Sequence, residues 1–269
     1  MSKTPRRIVN VLNQSQKALV AYLCVGDPHP NETLALARAA IAGGTDMLEL
    51  GIPFSDPSAD GKTIARASER ALAHGTNVDT ALSVATQLRS ESDVPIVIFG
   101  YYNPLLVYGE ERFVQRAKDA GVDAILCVDL PFDEPAQLRD AARAVGISMV
   151  PLVAPTTTDA RLGKLKKHAF EQLIDFVYYV SVAGVTGSAA VDADAASERA
   201  RQVRKILDLP VVVGFGIDSA DKARAASVGV NGVVVGSALV SAIEAAKDAR
   251  ERTIAAEKIV SSLRRGLDA

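Results

Sequence analysis

Residues 211–240 read VVVGFGIDSADKARAASVGVNGVVVGSALV, and this stretch decides the fold. It opens on an apolar, β-branched run at 211–214, turns through GFGI, and enters an Ala-rich charged segment from Ser219. The step SVGVNG returns the chain to a second apolar run at 232–235, which turns at Gly236 into another helical pattern. A strand written as a continuous apolar run, without alternation, is covered on both faces. A helix between two such strands supplies the crossover that parallel pairing requires.

The same unit recurs upstream. Strands are predicted at 19–24, 47–50, 96–100, 124–128, 148–153 and 176–180. Helical patterns lie at 31–42, 62–72 with 78–89, 111–120, 134–145, 158–168 and 196–207, and a last one runs from 238 to 267. Several helices end in a glycine step back to a strand: AGGTDM, DAGVDA, AVGISM and SVGVNG. Glycine tolerates the left-handed conformation that ends a helix, which explains this punctuation. Eight strand–helix units predict an α/β fold of the (β/α)8 TIM-barrel type. With no linker and no break in composition, residues 1–269 read as a single domain. The competing arrangement is an open doubly wound sheet, but no GxGxxG opens the first helix.

Composition narrows the function. Hydrophobic residues are 48% of the chain, enough for a large core, and the formal net charge of −2 gives no basic footprint for nucleic acid. The amino-terminal MSKTPRRIVNVLNQ is polar and lacks the apolar core of a signal peptide, and no long apolar run predicts a membrane span, so the cytoplasm is expected. Cys24 and Cys127 sit inside apolar runs and read as buried free thiols. His29, His74 and His168 are far apart in sequence, and no metal-ligand spacing occurs.

In a barrel of this kind the chemistry sits at the carboxyl ends of the strands. The segment MLELGIPFSDPSADGKTI places Glu49 between Leu48 and Leu50. If the leucines face the helices, Glu49 faces the barrel mouth, because successive strand side chains alternate. Desolvation there raises a carboxyl pKa and suits it to general acid work. Its other reading is a glutamate held by a tyrosine or a backbone donor. Asp56 and Asp60 follow in a Pro-rich loop that also reads as a solvated turn. After the sixth strand, VSVAGVTGSAAVDADAAS is long and rich in small residues, either a surface loop or one that orders over a ligand. Gly216 and the pair Gly236–Ser237 lie after the last two strands, where glycine and unpartnered helix amides make an anion seat; a Ser237 helix cap is the alternative. Tyr22, Phe54, Phe99, Tyr101, Tyr102, Leu126, Tyr178 and Phe215 cluster near strand ends and suit a flat apolar ligand, or simply the core. No lysine occupies an inner strand end, which argues against a Schiff-base aldolase.

Taken together, GTDMLELGIPFSDPSADG, AYLCVGDP, GYYNPLLVYG, VDLPFDE, PLVAPTTTDARL, AGVTG, VVVGFGI and VVVGSALV resemble the tryptophan synthase alpha subunit family over nearly the whole chain. That resemblance implies cleavage of indole-3-glycerol phosphate to indole and glyceraldehyde 3-phosphate. Glu49 then matches the catalytic acid, and Asp60 the carboxylate that holds the indole N–H. Tyr22, Ile64, Phe99, Leu126, Tyr178 and Phe215 match the indole pocket; Gly187, Gly216, Gly236 and Ser237 match the phosphate-binding turns. The resemblance implies no cofactor on this chain and a beta-subunit partner that carries pyridoxal phosphate. An α2β2 complex is implied, joined through the loop from Pro53 to Asp60 and the loop from Asn103 to Gly109. A stand-alone indole-releasing lyase and a non-catalytic activator of a beta subunit are the alternatives. The chain departs from the family pattern at Ser58, Lys62 and Val182. Lys62 puts a cation beside Asp60, which is expected to lower its pKa.

Overall fold

The computed structural model describes residues 6–14, 16–134, 136–180, 193–214 and 216–269. The elements run α1 Arg7–Leu12, β1 Ala18–Cys24, α2 Thr33–Ala42, β2 Met47–Gly51, α3 Lys62–Ala73, α4 Val78–Glu91 and β3 Ile96–Gly100. They continue α5 Tyr102–Tyr108, α6 Glu110–Asp119, β4 Ala124–Cys127, α7 Gln137–Val145, β5 Ser148–Met149, β6 Leu152–Val153 and α8 Asp159–Gln172. The rest is β7 Val177–Val180, α9 Ala193–Leu207, β8 Val211–Gly214, α10 Ala220–Ser227, β9 Gly232–Val235, α11 Ser237–Ala245 and α12 Ala249–Asp268.

Among the described residues every strand pairing is parallel, and the sheet order is β5-β4-β3-β2-β1-β9-β8-β7-β6. The ladder ends on β5 and β6, which are two halves of the one strand read at 148–153. Pro151 causes the split, because proline has no N–H to give to a ladder. The seam still carries single bonds to both sides: the Val150 amide donates to Ile125, and the Tyr178 amide to Pro151.

The sheet separates two apolar layers. Leu48, Leu50, Ile96, Ile98, Ile125 and Tyr179 pack outward against the helices, while Val20, Tyr22, Met47, Val97, Leu126 and Val212 form a second cluster on the inner face. Ile8 and Leu12 of α1 join that inner cluster and plug it at the amino-terminal strand ends. The expected glycine steps hold: Gly44, Gly121, Gly146 and Gly229 all have positive φ, between 77° and 96°.

Four readings change. The polar-looking amino terminus contains α1. The stretch expected as a loop from Asn103 to Gly109 is mostly α5; Pro104 fits in its first turn, where no intrahelical donor is lost. The single helix expected at 238–267 is α11 and α12, because Asp248 caps a fresh start by accepting from the Glu251 amide at 2.8 Å. His29 and His74, distant in sequence, meet with tilted rings whose centroids are 4.7 Å apart. Both cysteines are buried and free. Among the described residues no helix is long and apolar enough to cross a membrane.

Candidate active site

Strand alternation puts Glu49 where the sequence asked for it. Leu48 and Leu50 belong to the outer cluster and Met47 to the inner one, so Glu49 shares the inner face. It lies in register with Tyr22 on β1 and Val97 on β3. Its residue is 1% exposed, and its Oε1 has no hydrogen-bond partner among the described residues. Burial pushes its carboxyl up to about 8, so it is mainly protonated at neutral pH.

Asp60 comes in from the side, on the loop that leads into α3. Its amide is fixed on Pro57 O at 3.0 Å, and Gly61 opens the helix immediately after it. Burial raises the Asp60 carboxyl to about 6, against the opposing pull of a hydrogen bond donated by the Tyr101 hydroxyl. Lys62 is exposed and takes no part in that shift, so the expectation that it would lower the Asp60 pKa is overturned: at the helix start its side chain faces solvent.

Tyr22 and Tyr178 lie close enough to feel both carboxyl groups, and they belong to an aromatic and aliphatic lining. Tyr22, Ile64, Leu126 and Tyr178 belong to the same inner cluster, and half-buried Phe99 packs against it. Tyr22 meets Phe99 edge-on, with centroids 5.3 Å apart. Burial drives the Tyr22 and Tyr178 hydroxyls well above the usual tyrosine range, and the nearby Glu49 and Asp60 charges add to it. Both therefore stay neutral.

Gly236 is the N-cap of α11 and makes no side-chain cap bond, with half-buried Ser237 as the first helical residue. A Cβ on Gly236 would sit 3.8 Å from Tyr22 Cβ, so this turn adjoins the ring lining. Gly216 has φ +63°, and an added Cβ there would meet nothing within 4 Å. The start of α10 is different: Ser219 accepts from the Lys222 amide and so occupies one of its donors. Val182, Gly187 and Phe215, with the rest of residues 181–192, lie outside the described residues. A surface cavity of about 540 Å³ is lined by Arg204, Lys205, Pro210 and Asn231 at the opposite, amino-terminal strand ends, away from these groups.

The model of the family "Tryptophan synthase alpha chain" matches residues 8–267. The chain belongs to the tryptophan synthase alpha chain family. A tryptophan synthase alpha chain from Citrifermentans bemidjiense is 43% identical over 91% of this chain and 90% of its own length. One from Acinetobacter baumannii is 42% identical over 100% and 99%. Among solved structures, tryptophan synthase subunit alpha from Legionella pneumophila superposes with a TM-score of 0.87 at 35% identity, covering 97% of this chain and 98% of that one. A chain from the tryptophan synthase α2β2 complex of Pyrococcus furiosus gives 0.82 at 39%, covering 92% and 98%.

In the sequence of this tryptophan synthase alpha family member Tyr101 is one aromatic among several near the strand ends. The structure gives it a specific place: its hydroxyl accepts from the Ala59 amide at 3.1 Å and donates to Asp60, and its ring packs on Phe54 at 5.2 Å. The available signal was its position directly after β3. Removing a hydrogen bond to a charged group costs about 1.5–3 kcal/mol. Tyr101→Phe is therefore expected to raise the Asp60 pKa and to lower kcat/KM roughly tenfold near pH 6. The loss shrinks toward pH 8, where Asp60 is ionised in either form. A uniform loss across that range would assign Tyr101 a purely packing role.

Proposed function

We propose that Glu49 and Asp60 carry the reaction of this family in this chain, the cleavage of indole-3-glycerol phosphate to indole and glyceraldehyde 3-phosphate. The observation that carries the reading is the buried Glu49 carboxyl on the inner face of the sheet, whose Oε1 has no partner among the described residues and which burial keeps protonated at neutral pH. Indole leaves poorly as a C3 carbanion, so C3 must gain a proton before its bond to the side chain breaks. Glu49 gives that proton. The electron pair of the breaking carbon–carbon bond returns to the ring, the hydroxyl-bearing side-chain carbon becomes the aldehyde, and the hydroxyl proton restores Glu49. Positive charge develops at the ring nitrogen, where the Asp60 carboxylate accepts the N–H and stabilises it.

Tyr22, Ile64, Phe99, Leu126, Tyr178 and Phe215 hold the ring, and Gly187, Gly216, Gly236 and Ser237 hold the phosphate. The uncapped α11 start supports the last two assignments, since the first helix amides lack internal partners and favour an anion. The sheet is read as a closed (β/α)8 barrel forming one domain. The two seam bonds beside Pro151 and the family match from 8 to 267 support that reading. The chain assembles with a tryptophan synthase beta subunit in an α2β2 complex. Its likeness to the chain from the Pyrococcus furiosus complex supports this, as do Leu106 and Val107 of α5, 50% and 80% exposed. Cytoplasmic placement rests on the two free thiols.

Opposite protonation states of two carboxyl groups give a bell-shaped pH profile. Activity rises through about 6 as Asp60 loses its proton, and falls through about 8 as Glu49 loses its own. Steady-state kcat/KM for indole release from pH 5 to 9.5 tests this; a profile that keeps rising past 9 would remove Glu49 from the acid role.

A further inference from the structure

The proposed site is built on two helices that do not adjoin in sequence. Ile64 lies in the first turn of α3, just after the Asp60 loop, at the ring end. Gly236 and Ser237 open α11, at the phosphate end. The two helices pack on each other, and α3 also packs on β1. Ile64, Ala67 and Ala71 of α3 and Val240 of α11 all enter the inner cluster beside Tyr22.

A chain of charges joins the same two helices from outside. Arg66 of α3 binds Glu244 of α11 at 2.9 Å, and Arg70 binds the same carboxylate at 2.7 Å. Arg70 also forks onto Asp27, at 2.7 and 3.2 Å, in the turn that follows β1. The Asp27 side chain is 3% exposed, whereas that of Glu244 is 31% and that of Arg66 51% exposed. Surface ion pairs of the second kind add little to stability. Their geometry is the more informative property: two guanidinium groups converge on one carboxylate, and one of them is locked to a buried aspartate.

We propose that Glu244 is a positioning residue, whose grip on Arg66 and Arg70 sets the distance between the ring-binding and phosphate-binding ends of the site. This rests on the assignment of those two ends given above. An α-helix is stiff, and Glu244 stands about 10 Å along α11 from Ser237. A shift of α11 against α3 therefore moves the phosphate seat relative to Asp60 and Ile64. A substrate whose ring and phosphate are joined by a three-carbon chain responds to such a shift. Each end alone does not, because a separate fragment follows its own helix. Linking two binding groups yields its advantage only when the geometry lets both engage at once.

The test uses Glu244→Gln in the full chain, which leaves the buried Asp27–Arg70 pair intact. KM and kcat are measured for indole-3-glycerol phosphate, together with separate dissociation constants for indole and for glycerol 3-phosphate. The expected result is a ~10-fold rise in KM for the intact substrate, with less than roughly twofold change for either fragment. Arg66→Gln, which removes one strut, gives a smaller rise of the same kind and serves if the first variant does not fold. An unchanged KM, or equal weakening of the substrate and both fragments, overturns the proposal. Failure of the site assignment looks different: the wild-type chain then does not bind glycerol 3-phosphate at all.

Discussion

Glu49→Gln is expected to lower kcat by ~10²–10⁴, the usual contribution of a general acid, while leaving the fold intact. The carboxyl lies on the inner face of β2, its Oε1 finds no partner among the described residues, and burial holds it protonated to about 8. Glutamine has the same shape and the same neutral charge at pH 7, so packing is kept. No hydrogen bond from a described residue to Oε1 is lost. An amide is far too weak an acid to protonate C3, so the loss falls on kcat, with little change in KM. Single-turnover indole release, with circular dichroism melting as the folding control, measures both. A variant that turns over at the wild-type rate ends the assignment of Glu49.

Asp60→Asn is the second large loss, ~10²–10³ in kcat, comparable to removing one fixed electrostatic group from the developing charge of a reaction. Asparagine still reaches the ring N–H through its carbonyl oxygen, so ground-state binding survives. What disappears is the negative charge, and with it the acid limb near 6 that Asp60 gives the pH profile. The rate of Asp60→Asn should therefore stay flat from pH 5 to 7. Retention of the limb would place the titrating group elsewhere.

The strands and their order were legible because doubly covered strands are uniformly apolar and the glycines between helix and strand need positive φ. The start of α12 was legible in principle, since Asp248 and Glu251 have the spacing of a helix start. No glycine or proline interrupts residues 238–265, so the stretch reads as one continuous helix. Pro104 disguises the helix α5, and the split of the fifth strand follows from Pro151, which has no amide donor for the ladder. Within the site, alternation along β2 was enough to aim Glu49. It was not enough to show that its oxygen is unpartnered, since that depends on β1 and β3 neighbours fixed by register. Asp27, Arg70 and Glu244 lie too far apart in sequence for any local pattern to unite them.

The packing of Ile8 and Leu12 beneath the strands has a consequence for where hydrogen travels. Ile8, Leu12, Val20, Met47 and Val97 make the inner layer beneath Glu49 apolar among the described residues, so this side offers the proposed acid no polar group to pass a proton to. In the proposed mechanism a substrate lying over Glu49 covers its remaining side. The proton that Glu49 is proposed to lend to carbon is then returned by the substrate's own hydroxyl, and each turnover leaves the carboxyl group as it began.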